Sequence, residues 1–275
     1  MVTDGTVIDK SLLGGVLSVK NGSLRFSVAP GFSDAVYSLM SGGNEWLFSR
    51  YPSLEPYSWW NPFVGGLKSY LERMNNSLVL REKITASFTD ETDSLGNIWT
   101  GIRADVFIES NDEYRGMRYS QYYLTIPGVP VMCHYLRLEN GTGRFLNADM
   151  YSMLFLSGKE GLTDMSAHVA APDKTSYELR FGKDDFEMRF DKLIALSRGG
   201  GEPRAEKLYV YKDYKRDRGK QLIGFDLNIA YCDFNMSGHV ADGASHTTKP
   251  IFCIITEKEL TAESLADFDR IEFKT

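Results

Sequence analysis

The sequence predicts an all-β fold: a large antiparallel β-sandwich with at most one or two short helices. Three observations carry this expectation. Apolar residues recur at alternate positions through most of the chain, the pattern of strands with one buried face. Clusters of Gly, Asn, Asp and Pro punctuate these runs at short intervals. Helical spacing is confined to one stretch near the C-terminus. The chain has 275 residues, 43% of them hydrophobic and 25% charged. It is expected to form one domain over residues 1–275, because sandwiches of about 250 residues commonly fold as a single unit.

In chain order, Leu17 and Val19 precede Asn21-Gly22, and Leu24, Phe26 and Val28 follow it. Asn-Gly between alternating apolar runs signals a hairpin, because a type I′ turn needs positive φ at both central residues. Leu78, Leu80, Ile84, Ala86 and Phe88 share one face of a strand that Glu82 interrupts. Ile98, Ile102, Ala104, Val106 and Ile108 repeat the pattern after a turn at 93–97. Tyr122, Leu124 and Ile126 lead to Pro127-Gly128, and Met132, Leu136 and Leu138 run up to Asn140-Gly141. Phe181 on one side and Phe186, Met188 and Phe190 on the other flank a turn at 182–185. Ile223, Phe225, Leu227, Ile229 and Tyr231 read as one late strand, and 251–256 as another. Thr261 is a candidate cap for a short helix reaching Phe268, with Leu265 and Phe268 three apart. The glycine-rich 199–203 reads as a surface loop within the domain.

Charge and composition exclude several functions. Acidic residues outnumber basic ones 37 to 31, for a net charge of −6, which is the wrong sign for a nucleic-acid partner. The basic stretch from Lys212 to Lys220 is broken by Asp213 and Asp217 and reads as a solvated hairpin loop. No apolar run approaches the ~18 residues that span a bilayer, so no membrane partner is expected. Cys133, Cys232 and Cys253 all lie in apolar runs without CxxC spacing. They are expected to be buried, reduced thiols, which fits a reducing compartment. The N-terminus lacks the basic and apolar regions of a signal peptide, so a cytoplasmic location is expected.

No metal or cofactor is expected. His134, His168, His239 and His246 do not form HExxH or a close ligand pair, the run Gly199–Gly201 lacks the following Lys-Ser/Thr of a phosphate loop, and no GxSxG is present. His134 shares a strand face with Met132 and Leu136 and reads as a hydrogen-bonded core histidine. His168 is the better acid–base candidate, because imidazole titrates near neutrality and nearby Asp164 is a carboxylate able to orient it. The most distinctive stretch runs from Glu45 through Gly66 and carries Trp46, Trp59 and Trp60 among prolines, with little alternation. On a rigid β scaffold such a loop suits ligand binding. Trp59 and Trp60 would stack on sugar faces, while Arg50, Asn61 and Lys68 would hydrogen-bond hydroxyls or an acidic group. The alternative is that Trp59, Trp60 and Phe63 plug one end of the sandwich.

The stretch Leu24-Arg-Phe-Ser-Val-Ala-Pro-Gly31, followed by Ala35-Val-Tyr-Ser-Leu39 and Gly43-Asn-Glu-Trp-Leu47, resembles the opening of the galactose mutarotase-like superfamily, the β supersandwich. Tyr122-Tyr-Leu-Thr-Ile126 through Tyr135-Leu-Arg-Leu-Glu-Asn140 resembles its central hairpin, whose second strand ends in an asparagine. The resemblance covers roughly residues 15–70 and 117–158 and implies a supersandwich fold. Aldose epimerases of this family carry a histidine soon after that asparagine, a second histidine further on, and a late glutamate base. Here residues 144–155 contain no histidine, and Gly65-Gly66-Leu67 stands where an epimerase tends to have Gly-Arg. The strand at 251–257 resembles the glutamate-bearing one, with Glu257 about two residues late. These departures move the expected function from epimerisation to carbohydrate binding, in a domain associated with a sugar-processing enzyme. Two alternatives stay open. One is a sugar-active epimerase or lyase variant using His168, Asp164 and Glu257. The other is a structural or interaction domain without a small ligand.

Overall fold

The computed structural model describes residues 7–54, 65–71, 82–157, 162–182, 184–199, 205–213, 221–226 and 228–274. Two antiparallel ten-stranded sheets pack face to face. Sheet one begins with β1 (Asp9–Leu13), β2 (Val16–Asn21), β3 (Leu24–Val28) and β4 (Val36–Ser41), with short β5 (Asn44–Glu45) beside β4. It continues through β6 (Leu67–Leu71), β12 (Met150–Leu156), β19 (Ile229–Asn235), β18 (Gln221–Asp226) and β15 (Phe186–Arg189). Sheet two begins at β14 (Ser176–Arg180), then β13 (Met165–Ala170), β16 (Leu193–Arg198), β17 (Lys207–Tyr211) and β22 (Ile251–Thr256). It ends with β10 (Val131–Asn140), β9 (Met117–Thr125), β8 (Ile98–Phe107) and β7 (Ile84–Thr92), and β21 (Ser245–Thr247) adds to β10. A separate pair joins β11 (Leu146–Ala148) to β20 (Gly238–Val240). The predicted all-β sandwich is what the chain forms, and the period-two alternation puts Phe26, Leu39, Ile102, Tyr123 and Leu136 into the core between the sheets. The expected Leu78 and Leu80 lie outside the described residues.

Three local expectations are corrected. Asn21 pairs with Leu24, so Gly22 and Ser23 are the central turn residues, and only Gly22 takes positive φ, at 61°. That matches a type II′ turn rather than type I′. It leaves the Asn21 amide to donate to Thr125 Oγ1 (2.8 Å), the Ile126 carbonyl (2.8 Å) and the Val129 carbonyl (2.9 Å), tying this hairpin to the turn after β9. The turn expected at 182–185 joins the two sheets: β14 belongs to sheet two and β15 to sheet one, and Phe181 and Phe186 both pack with Phe225. The single strand expected from Ile223 to Tyr231 is a hairpin of β18 and β19, turning where Asn228 takes a φ of 61°. No α-helix starts at Thr261. Thr261 and Ser264 cap each other through side chain and backbone, and the only helical piece that follows is a 3-10 turn, Ala266–Arg270.

The C-terminal segment lies on the outer face of sheet two. Leu265, Ile271 and Phe273 bury Trp99, Tyr122, Tyr135 and Phe252 there, and Phe273 stacks on Tyr135 at 4.3 Å. Each such aromatic contributes about 1.5–3 kcal/mol through burial.

A polar network crosses the core. Asp34 accepts from the Tyr119 hydroxyl (2.9 Å) and the Gln121 amide (2.6 Å), and Lys68 Nζ lies 3.7 Å away. Gln121 in turn accepts from the Ser69 N–H at 2.9 Å. Ser69 and Ser152 of sheet one contact Nε2 of His134 on sheet two at 3.1 and 3.0 Å, and its Nδ1 lies 3.1 Å from the Tyr122 carbonyl. His134 is thus the hydrogen-bonded core histidine the strand pattern predicts. Burial, opposed by the Tyr122 carbonyl, pushes its pKa down from 6.5 to about 4. The unfolded chain therefore takes up this proton first as pH falls, so the stability His134 contributes is complete above 6.5 and is lost as pH falls through that value towards 4. Urea midpoints are expected to drop between these pH values, and the drop to be smaller in His134→Gln; equal drops in both proteins would refute this assignment.

Candidate functional site

The outer face of sheet one is the best-defined aromatic surface beside the predicted ligand loop. On β12, Met150, Ser152 and Leu154 point inward, which turns Tyr151, Met153 and Phe155 outward. In register with them, Tyr70 of β6 and Asn235 of β19 flank Tyr151, and Tyr231 pairs with Phe155. Met153, Phe155, Ile229 and Tyr231 form a buried apolar floor, bordered by half-buried Phe48 and Tyr70. Tyr70 and Tyr151, both half-buried, stack at 5.7 Å at one end of the face. Tyr37 and Tyr51 stack at 4.0 Å at the other, with Phe32 edge-on to Tyr51 at 5.2 Å.

Tyr231 reaches this face because of the β18–β19 turn. The hairpin inverts the alternation, so Ala230, Cys232 and Phe234 enter the core and Tyr231 leaves it. Its ring lies across Gly224, where an added methyl would stand 2.5 Å from Cζ. Burial first, then the charges of Glu187, Asp226 and Asp233, push its pKa up to about 12, so it remains a neutral phenol.

The segment after β5 is laid against this sheet by paired backbone bonds. Phe48 N–H donates to the Phe155 carbonyl (3.0 Å), and Gly66 N–H donates to the Phe48 carbonyl (2.7 Å). Arg50, half-buried, follows directly on that segment, beside Tyr51. Trp59, Trp60 and Asn61 lie outside the described residues. Lys68 is corrected as a ligand contact: it is 1% exposed and turned to Asp34, because the sandwich places a buried carboxylate beside it.

The acid–base candidates occupy the opposite face of the molecule. Exposed His168 on β13 and exposed Glu257 after β22 both line a groove of about 720 Å³ on the outer face of sheet two. Asp164 does not line that groove; it sits in a 3-10 turn before β13, where its charge acts on Arg198. His168 Nε2 lies 2.9 Å from the Ser176 hydroxyl. The neighbouring carboxylate of Glu259 is engaged by Lys207 and by the Tyr209 hydroxyl (3.1 Å), and the Lys207 bond chiefly holds its pKa below the usual range. A serine–histidine pair without a carboxylate to orient the ring lacks the third member that such nucleophiles use. None of the four histidines stands on the outer face of sheet one. His134 is in the core, His168 is on sheet two, and His239 and His246 lie on β20 and β21. Among the described residues, no group of three or more His, Cys, Asp or Glu is placed to hold a metal.

Comparison of this architecture with solved structures shows which fold it is. The chain is similar to a galactose mutarotase-like protein from Clostridium acetobutylicum, with a TM-score of 0.56 at 8% identity over 91% of this chain and 98% of that one. The chain has the galactose mutarotase-like fold. It is also similar to a GH36 α-galactosidase from Geobacillus stearothermophilus (TM-score 0.59, 10% identity, 92% of this chain and 41% of that one). A TPR-domain containing protein from Parabacteroides distasonis ATCC 8503 gives a TM-score of 0.62 at 12% identity, over 91% of this chain. The chain spans 48% of that protein, so it corresponds to less than half the length of both larger relatives. No family model matches the sequence, and no curated protein matches it either.

Proposed function

We propose that this chain is a carbohydrate-binding domain that holds a sugar on the outer face of sheet one, as part of or partner to a sugar-processing enzyme. The observation that carries this reading is the pairing of half-buried Tyr70 and Tyr151 on that face, in register with Asn235. Aromatic rings stack on the apolar faces of pyranose rings, and a neighbouring amide fixes their hydroxyls. Arg50 is proposed as a further contact, as are Trp59, Trp60 and Asn61, which lie outside the described residues. Binding rather than epimerisation is favoured because all four histidines stand away from this face. Named relatives of the fold include a mutarotase-like protein and an α-galactosidase, which supports a sugar ligand. The three buried free cysteines support a reducing compartment such as the cytoplasm.

Calorimetric titration against a panel of neutral and acidic mono- and disaccharides tests the proposal. At least one sugar is expected to bind, and Tyr151→Ala is expected to weaken it about tenfold, or 1.4 kcal/mol. Heat from no sugar, or full affinity in Tyr151→Ala, would sink it.

A further inference from the structure

The groove on sheet two is built on the opposite side of the sandwich from the tyrosine face, and its about 720 Å³ lies within the range of small-molecule sites, about 300–1,000 Å³. Its floor is opened by small side chains, Ser166 and Ala170 on β13 and Ala195 and Ser197 on β16. Ala195 is in register between His168 and Tyr209, so a methyl group stands where a larger side chain would close the floor. The 257–263 segment forms one wall.

The charges are unequal. Five carboxylates line the groove against three cations. Lys174 pairs with Asp191, and Lys207 pairs with Glu259. Arg198 donates to the backbone carbonyls of Glu45 and Ser157, and its guanidinium sits 4.1 Å over the Trp46 ring. The cations are thereby committed to the protein itself. Glu257 and Glu263 keep exposed carboxylates at the wall, and Glu178, in register with His168, pairs with the exposed Arg180 at 3.5 Å. His168, Ser166, Ser197 and Thr261 add hydrogen-bonding groups around them.

We propose that this groove is a second ligand site and that it takes a small hydroxylated cation, an amino sugar with a free ammonium group. The surplus carboxylates would receive the ammonium, the hydroxyl and imidazole groups would receive ring hydroxyls, and the shallow floor at Ala195 would seat the ring. An anionic sugar would meet the same surplus as repulsion. The proposal stands independently of the tyrosine face.

The probes are the disaccharide of glucosamine, its fully N-acetylated form and a uronic-acid disaccharide, each titrated calorimetrically at about pH 6, where the amine is charged. The free-amine sugar is expected to bind, N-acetylation to weaken it about tenfold or more, and the uronic acid to give no heat. Ala195→Phe, which fills the floor, is expected to abolish binding. The double variant Glu257→Gln/Glu263→Gln keeps the shape and is expected to weaken binding about tenfold. Equal affinity for amine and N-acetyl forms, unchanged binding in Ala195→Phe, or no heat from the amine sugar would each overturn the assignment. Tyr151→Ala reports on the other face, so the two readings stand or fall on different variants.

Discussion

Replacing Asp34 with alanine is expected to destabilise the fold by about 3–5 kcal/mol, the cost of breaking a buried ion pair from one side. Asp34 is fully buried and accepts hydrogen bonds from Tyr119 and Gln121 while facing Lys68. Burial pushes the Lys68 pKa down and Asp34 pulls it back up. Without the carboxylate, Lys68 loses its buried counter-charge, and the Tyr119 hydroxyl loses its acceptor. Asp34→Asn keeps an acceptor for Tyr119 and removes only the charge, so it is expected to cost less. Asp34→Ala combined with Lys68→Met removes both ions and is expected to recover much of the loss, since a buried pair is often replaced by apolar groups at little cost. Urea unfolding of the four proteins measures this. An Asp34→Ala cost under about 1 kcal/mol, or a double variant no more stable than the single one, would contradict the assigned role. The network also fixes β6, the strand that carries Tyr70, so its loss is expected to reach the proposed sugar face.

The strands were legible where side-chain alternation decides them, as in β7 and β8, because one buried face leaves a local trace at every second residue, and β22, buried on both faces, was legible as a continuous apolar run. Features set by distant partners left no such trace. Lys68 alternates out of phase with Leu67, Ser69 and Leu71, as a surface lysine would, and only Asp34 arriving from the β3–β4 turn makes it a core residue. The alternation from Ile223 to Tyr231 runs unbroken in sequence, yet Asn228 turns the chain there and reverses which residues face outward. An asparagine between two apolar runs was the available signal for that turn, and for Tyr231 on the outer face. Asp164 and His168 have the spacing of a shared strand face, but the 3-10 turn ends before β13 begins and keeps Asp164 off the strand. Tyr151 was hidden in an apolar run whose outward positions carry Met153 and Phe155. The groove on sheet two needs β13, β16, β17 and the 257–263 segment together, and the gap at Ala195 exists only once those strands are in register.

Gly66→Ala is expected to cost about 3 kcal/mol or more, from left-handed strain and close backbone packing together. Gly66 takes a φ of 84°, and a Cβ there would stand 2.3 Å from the Val36 carbonyl oxygen, an atom with no freedom to move aside. Gly65, with a φ of 86°, would meet the Phe48 carbonyl oxygen at the same distance. Both glycines sit where the chain after β5 crosses between β4 and β12, with Gly66 N–H bonded to Phe48 and its carbonyl accepting from Phe155. Gly96 is the control: its φ is 83°, but nothing lies within 4 Å of an added methyl. Gly96→Ala therefore isolates the backbone strain, about 1–2 kcal/mol, and the excess in Gly66→Ala measures the close approach. Equal losses in the two variants would show that the crossing is not sterically tight. The same geometry bears on function, because this tight crossing is what lays Phe48, Arg50 and Tyr51 beside the proposed sugar face.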